Sequence, residues 1–183
     1  MLHLLRDMGR EIIREESPEE PLKRSRLRFH EEVIDVLSKY KGTHFVKGLA
    51  LKLPNENTIC INTKAFKWMT RLKLLQLAGV QFDGDYKYLP QGLRFLCWQG
   101  FPLTHIPAEF KLNCLVVIEL KYSNLKELWK KGQMLENLKV LDLSHSKYLI
   151  TTPDFSYLPN LEKLVLEDCS SLRKVSNSIG VSE

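Results

Sequence analysis

The stretch LKVLDL at residues 138–143 decides the fold, because its pattern L-x-x-L-x-L returns along the chain. The other copies are LKLLQL at 72–77, LRFLCW at 93–98, LVVIEL at 115–120 and LEKLVL at 161–166. Successive copies begin 21 to 23 residues apart, and a weaker copy, VKGLAL, occupies 46–51. So regular a period indicates a stack of short structural repeats, each of which buries its apolar face against its neighbours.

Each six-residue copy, which we call a hexad, has the geometry of a short strand. Side chains alternate along a strand, so the fourth and sixth positions point to one face and the fifth to the other. Leucine-type residues hold the fourth and sixth positions, and Trp98 takes a sixth position in the predicted core. The return segments are short and contain several prolines, which favour turns over long helices. We therefore expect an α/β fold: a leucine-rich-repeat solenoid with a parallel β-sheet on its concave face and irregular return loops.

Many repeat proteins of this kind have an asparagine eight residues after the first leucine, and this chain has none there. That position holds Val80, Phe101, Ser123, Ser146 and Cys169, all small or apolar. The hydrogen-bonded asparagine ladder of many repeat proteins cannot form with these side chains. The sequence therefore predicts an irregular solenoid.

The candidate binding surface consists of the side chains that point away from the leucine core. They come from the third and fifth hexad positions and from the residue just past one strand: Leu74, Gln76, Phe95, Cys97, Val117, Glu119, Lys121, Val140, Asp142, Lys163 and Val165. The third-position row is apolar for a face that should be exposed, which is typical of protein contact surfaces. The alternative is that strand twist partly buries this row.

Composition argues against several other classes of protein. The net charge of +5 is modest, and no basic stripe with interleaved aromatics indicates nucleic-acid binding. The four cysteines form no CxxC pair, no apolar run approaches the length that spans a bilayer, and no signal peptide opens the chain. We expect a protein of the cytosol or nucleus that contacts neither membrane nor nucleic acid.

No catalytic or metal-binding set is apparent in the sequence. Cys97 is predicted to lie between Gln76 and Glu119 rather than beside a base, so a plain thiol is the favoured interpretation. No carboxylate and histidine cluster has metal-ligand spacing. We therefore expect a protein that is not an enzyme and that holds no metal.

Residues 1–44 precede the repeats and have a different pattern. Apolar residues at helical spacing predict a helix over 1–16, Ser17 to Pro21 ends it, and a second short helix is expected over about 30–39. The basic run at 23–28 is interpreted as a solvated turn, with a docking or nuclear-import role as the alternatives. We expect two domains, 1–44 and 45–183, the latter with about five to six repeats, and both ends read as cut.

Together these segments resemble plant intracellular immune receptors of the TIR-type nucleotide-binding, leucine-rich-repeat family. The resemblance rests on LLRDMGREIIREESPEEPLKRSRLRFHEEVIDVLSKYKGT at 4–43, AFKWMTRLKLLQLAGVQ at 65–81, LRFLCWQGFPL at 93–103 and LDLSHSKYLITTPDFSYLPNLEKLVLEDCSSL at 141–172. It implies that residues 1–44 are the end of the nucleotide-binding domain, a remnant of its winged-helix subdomain. It also implies ADP or ATP as the cofactor of the full-length family, but none in this fragment.

The family's Met-His-Asp motif, whose histidine contacts the ADP phosphate, is degraded here. Aligned on Leu4 to Gly9, it falls on Met1, Leu2 and His3, so that His3 is the nearest remaining candidate for cofactor binding. Leu2 cannot donate a hydrogen bond to phosphate. The glycine-rich phosphate loop is not found in the sequence.

The resemblance implies a protein-interaction and autoregulatory region of an innate immune receptor, active in defence and signal transduction. Its expected partners are the nucleotide-binding domain in cis and a pathogen effector or guarded host protein. Two alternatives stay open: a nucleotide-dependent, ADP-binding switch module, and a truncated, non-functional repeat adaptor.

Overall fold

A computed structural model describes residues 12, 15–17, 19–54 and 58–176 of the 183-residue chain. The strands are β1 (Arg26–Leu27), β2 (Gly48–Lys52), β3 (Ile59–Asn62), β4 (Leu74–Ala78), β5 (Val80–Asp83), β6 (Phe95–Gln99), β7 (Val117–Glu119), β8 (Val140–Asp142) and β9 (Lys163–Val165). Helix α1 spans His30–Ser38, and short 3-10 helices cover Pro21–Lys23, Thr63–Phe66, Tyr86–Tyr88 and Phe155–Tyr157.

Seven of these strands form one parallel sheet, in the order β1-β2-β4-β6-β7-β8-β9. Corresponding hexad positions pair across the sheet: Leu75 with Leu96, Leu96 with Ile118, and so on to Leu141 with Leu164. The weaker copy at 46–51 contributes β2, which pairs with β4 in the same register. The predicted α/β class with a mostly parallel sheet is therefore confirmed.

The core lies under the fourth and sixth hexad positions, as the alternation predicts. In the four copies from residue 72 to residue 143 these side chains are at most 1% exposed. Burying one such side chain contributes roughly 1.5–3 kcal/mol, so the stacked rows dominate the stability of the fold. In the copy at 161–166, Leu164 and Leu166 are only partly buried, although they pack against the same core.

Helix α1 and strand β1 attach the first part of the chain to this sheet. The helix matches the one expected over about 30–39, and its Val33, Val36 and Leu37 are buried in the shared core. Leu27 of β1 is also buried, and β1 pairs with β2. The domain boundary at residue 44 stays a prediction, while residues 26–38 and the sheet share one core. The helix expected over 1–16 and the candidate His3 lie largely or wholly outside the described residues.

A second, two-stranded parallel sheet pairs β3 with β5, which the hexad pattern does not predict. Its strands follow β2 and β4, so it lies in the return segments of the first repeats. Phe82 of β5 stacks edge-on against Phe66 and Trp98 with ring centroids 5.3 and 4.6 Å apart. Trp98 is fully buried and its indole Nε1–H donates to the Val80 carbonyl at 3.0 Å. This aromatic cluster fills the space behind the main sheet.

The return segments contribute apolar side chains of their own to the core. Ile106, Leu125, Leu128 and Leu149 are buried, whereas Val175 is 58% exposed. Val175 stands beyond β9, where no further strand of the described chain covers it. In the described part of the chain, no helix is both long enough and apolar enough to cross a bilayer.

Candidate protein-binding face

The candidate residues of the third and fifth hexad positions lie in two adjacent rows on one side of the main sheet. We call these ten residues the strand face: Leu74, Gln76, Phe95, Cys97, Val117, Glu119, Val140, Asp142, Lys163 and Val165. In-register pairing brings each member beside its counterpart in the next strand, so the sequence prediction of two rows agrees with the register. Lys121 lies just past β7, next to the strand face.

The third-position row is apolar and half-buried. Leu74, Phe95, Val117 and Val140 each retain intermediate exposure, and exposed Lys163 ends the row on β9. Neighbouring parallel strands lie about 4.8 Å apart, so the four apolar side chains form one continuous strip. Their partial burial agrees with both sequence interpretations, a contact strip and a row that is partly covered.

The fifth-position row contains an ion pair that fixes Asp142. The Lys121 ammonium lies 2.9 Å from Asp142 Oδ2, and the Ser144 backbone N–H donates to Asp142 Oδ1 at 3.0 Å. Burial raises the pKa of the Asp142 carboxyl, but the hydrogen bonds from Ser144 and Lys121 outweigh it and hold the pKa below its ordinary value. The same contact raises the pKa of Lys121. Asp142 is only 8% exposed, so Lys121 is the more accessible of the two charges.

Cys97 lies half-buried between its neighbours on the strand face. Burial, together with the nearby Glu119 carboxylate, raises the pKa of its thiol to about 11. The thiol is therefore protonated at neutral pH, a weak nucleophile because the thiolate is the reactive form. Among the described residues, no group of three or more His, Cys, Asp or Glu side chains could hold a metal ion.

A row of left-handed residues follows the strands, a feature that sequence reasoning missed. Each of these residues lies seven positions after the first leucine of its hexad and has a φ between 54° and 72°. We call them the turn row: Gly79, Gly100, Tyr122, His145 and Asp168. Glycine adopts this conformation freely, whereas other residues pay a steric cost there. Gly79 and Gly100 at equivalent positions were the sequence signal, but the three later members hid it.

The last three members of the turn row contact one another. The Tyr122 and His145 rings stack with centroids 4.6 Å apart and an angle of 13° between their planes. His145 Nδ1 lies 2.9 Å from Asp168 Oδ2. These contacts connect three consecutive repeats along the edge of the strand face.

The position that replaces the asparagine ladder forms a different ladder in the later repeats. The Ser123 and Ser146 hydroxyls lie 2.7 Å apart, and Ser146 Oγ also accepts from the Ser123 N–H at 3.2 Å. Ser146 donates in turn to the Leu120 carbonyl, and the Cys169 thiol donates to the Leu143 carbonyl. Small hydroxyl and thiol groups thus satisfy the backbone that asparagine serves elsewhere.

The basic run at 23–28 is not a wholly solvated turn. Arg24 is 2% exposed, and its guanidinium donates to both oxygens of Glu32 at 3.1 and 2.9 Å and to the Ser17 carbonyl at 2.8 Å. The Glu16 carboxylate accepts from the Ser25 N–H and hydroxyl at 2.7 and 2.9 Å. The interpretation as a solvated turn was wrong for Arg24, because this buried side chain connects the Ser17 backbone to Glu32 of helix α1.

Several known proteins are similar in sequence to this chain. No family model matches it. It is 36% identical to disease resistance protein RUN1 of Vitis rotundifolia, 37% to disease resistance protein TAO1 of Arabidopsis thaliana and 34% to TMV resistance protein N of Nicotiana glutinosa. Each match covers 98% of this chain and 16% of the relative, so the chain spans about a sixth of their length. The chain is therefore homologous to a segment of plant TIR-type nucleotide-binding, leucine-rich-repeat disease resistance proteins.

Proposed function

We propose that this chain is the protein-interaction and autoregulatory leucine-rich-repeat region of a plant innate immune receptor, with a role in defence signalling. The observation that carries the proposal is the in-register stacking of the hexads, which arranges the strand face as two rows on one side of the sheet. A solenoid with this sheet on its concave side accounts for the register, for the turn row and for the 21- to 23-residue period.

The strand face has the chemistry of a protein contact surface. A continuous apolar strip runs beside a row that carries Glu119 and borders the accessible Lys121. Apolar area supplies binding free energy, while charges at its rim select the partner and its orientation. The proposed partners are the nucleotide-binding domain of the same receptor, held inactive in cis, and a pathogen effector or guarded host protein.

The proposal includes a location and the absence of catalysis. A receptor segment of this kind would act in the cytosol or nucleus, without contact to membrane or nucleic acid. Cys97, the one candidate nucleophile weighed from the sequence, has a raised pKa and a carboxylate neighbour, which supports a binding role over an enzymatic one. ADP or ATP would belong to the full-length receptor.

Charge reversal on the strand face tests the proposal. Glu119→Lys with Lys121→Glu should weaken binding to a co-expressed nucleotide-binding domain of the receptor by roughly tenfold or more, because like charges across an interface are costly. The matched control reverses the exposed Lys139–Glu162 pair, whose Nζ and Oε1 lie 2.5 Å apart and which belongs to neither row. Equal binding by both variants, measured by co-purification and interferometry, would contradict the proposed face.

A further inference from the structure

In the turn row, a position without a side chain lies next to an exposed aromatic ring. Neighbouring parallel strands are about 4.8 Å apart, close to the 4.6 Å between the stacked Tyr122 and His145 rings. Planar side chains at consecutive steps of the turn row therefore stack naturally. His145 covers one side of the Tyr122 ring, from the following repeat.

The step on the other side of Tyr122 has no side chain. It belongs to Gly100 of the preceding repeat, and a Cβ built there would meet no heavy atom within 4 Å. Gly79 occupies the step before it, again without a side chain. Tyr122 is 54% exposed, which agrees with a ring that has one face covered and one face open.

An open pocket of about 220 Å³ occupies this place. Its walls include Gly79, Gly100 and Tyr122, together with the exposed Gln81 and Gln99. None of the described residues that line it carries a charge. The pocket thus offers one aromatic face, backbone close to the surface and two side-chain amides.

We propose that this pocket binds a tyrosine or tryptophan side chain of a partner protein, which stacks on Tyr122 and extends the Tyr122–His145 stack by one ring. A ring gains from offset stacking in a way that an aliphatic side chain cannot. An arginine would also stack, but none of the described wall residues supplies a carboxylate to pair with its charge. The Gln81 and Gln99 amides can pair with a phenol hydroxyl or an indole N–H.

This site lies outside the strand face, so the two can fail separately. Charge reversal at Glu119 and Lys121 tests the strand face with a protein partner, whereas the pocket is tested with small probes. The proposed site adds to the proposed function the side-chain chemistry that a partner must present at this edge.

The experiment is a nuclear magnetic resonance titration of the full chain with N-acetyl-tryptophanamide, N-acetyl-leucinamide and N-acetyl-argininamide. The aromatic probe should shift the amide signals of Gly79, Gly100 and Tyr122 in a saturable way and at lower concentration than the other two. Absence of saturable shifts at these amides, or equal binding of the leucine or arginine probe, would overturn the proposal.

Two matched variants distinguish stacking on Tyr122 from non-specific binding of the aromatic probe. Tyr122→Leu keeps an apolar side chain without a ring and should weaken the aromatic probe roughly three- to tenfold, the range that aromatic pairs contribute. Tyr148→Leu removes a similarly exposed ring, 60% against 54% for Tyr122, that does not line the pocket, and should leave binding unchanged. Unchanged binding in Tyr122→Leu, with its amide spectrum otherwise preserved, would show that Tyr122 is not the platform.

Discussion

The early repeats, residues 72–101, and the later repeats, residues 115–169, build the same turn with different chemistry. Eight residues after the first leucine, the early region has apolar Val80 and Phe101, whereas the later region has Ser123 and Ser146. The early side chains pack beside the aromatic cluster and the β3–β5 sheet, and the later ones form a hydroxyl ladder. A single repeat backbone can therefore be completed by filling volume or by satisfying hydrogen bonds.

The turn row changes at the same boundary. Glycine provides the left-handed residue in the early region, and Tyr122, His145 and Asp168 provide it in the later one. The later side chains offset part of the conformational cost through the Tyr122–His145 stack and the His145–Asp168 contact. The early region thus leaves this edge without side chains at Gly79 and Gly100, whereas the later region covers it with side chains that contact one another.

A charge in the shared leucine core should affect the later region most severely. Leu141→Asp places a carboxylate at a position that is 0% exposed, between Ile118 and Leu164 in the sheet. Because a buried unpaired charge costs several kcal/mol or more, we expect loss of the cooperative unfolding transition. Circular dichroism during urea unfolding measures it, with Ile150→Asp as the exposed control. A retained transition near the wild-type midpoint would mean that the later repeats do not depend on this row.

Removal of the buried indole should destabilise the early region, because it leaves a cavity in the core. Trp98→Ala removes a fully buried side chain that contacts Phe82 and Phe101 and bonds to Val80. Such truncations cost about 3–5 kcal/mol, through lost transfer free energy and the cavity left behind. Urea unfolding of Trp98→Ala and Trp98→Phe gives the comparison, since phenylalanine restores part of the volume. Equal loss in both variants would place the effect in the Val80 hydrogen bond instead.

Disruption of the hydroxyl ladder should lower the free energy of unfolding by less than the two core substitutions do. The effects of changing its two serines should also be non-additive. Ser146→Ala leaves the buried Ser123 N–H and hydroxyl without this partner, at about 1–3 kcal/mol. Because the two serines share one network, Ser123→Ala with Ser146→Ala should cost less than the sum of the single changes. A double-mutant cycle of unfolding free energies measures the coupling. Strict additivity would show that the two hydroxyls act independently.

Loss of the Lys121–Asp142 contact should have the smallest effect on the free energy of unfolding, and this effect should depend on pH. The pKa of Asp142 lies below its ordinary value of 3.8 in the folded protein. The carboxylate therefore stabilises the fold above about pH 4, and this contribution is lost as the pH falls through the lowered pKa. The difference in unfolding free energy between wild type and Asp142→Asn should shrink across that range. A constant difference would contradict the lowered pKa.

Much of the fold could be predicted from the hexads, because their pattern is contained in short stretches of consecutive residues. The spacing of leucines predicted the strands, their parallel register and the burial of Trp98, and helix α1 was expected nearly at its observed bounds. The β3–β5 sheet was missed because Ile59–Asn62 and Val80–Asp83 are short and only half-buried. Arg24 was misjudged because its burial depends on Glu32 and on the Ser17 carbonyl, distant partners that a run of basic residues does not reveal.

The sequence by itself determined the repeat, the side of each strand that is buried and the relationship to plant disease resistance proteins. It could do so because alternation and periodicity are encoded in consecutive residues. Only the tertiary structure decided that Ser123 and Ser146 form a ladder, that Asp142 is held by Lys121, and that Gly100 leaves a space beside Tyr122. These features depend on residues about 20 positions apart in the sequence, which become neighbours once the strands have stacked.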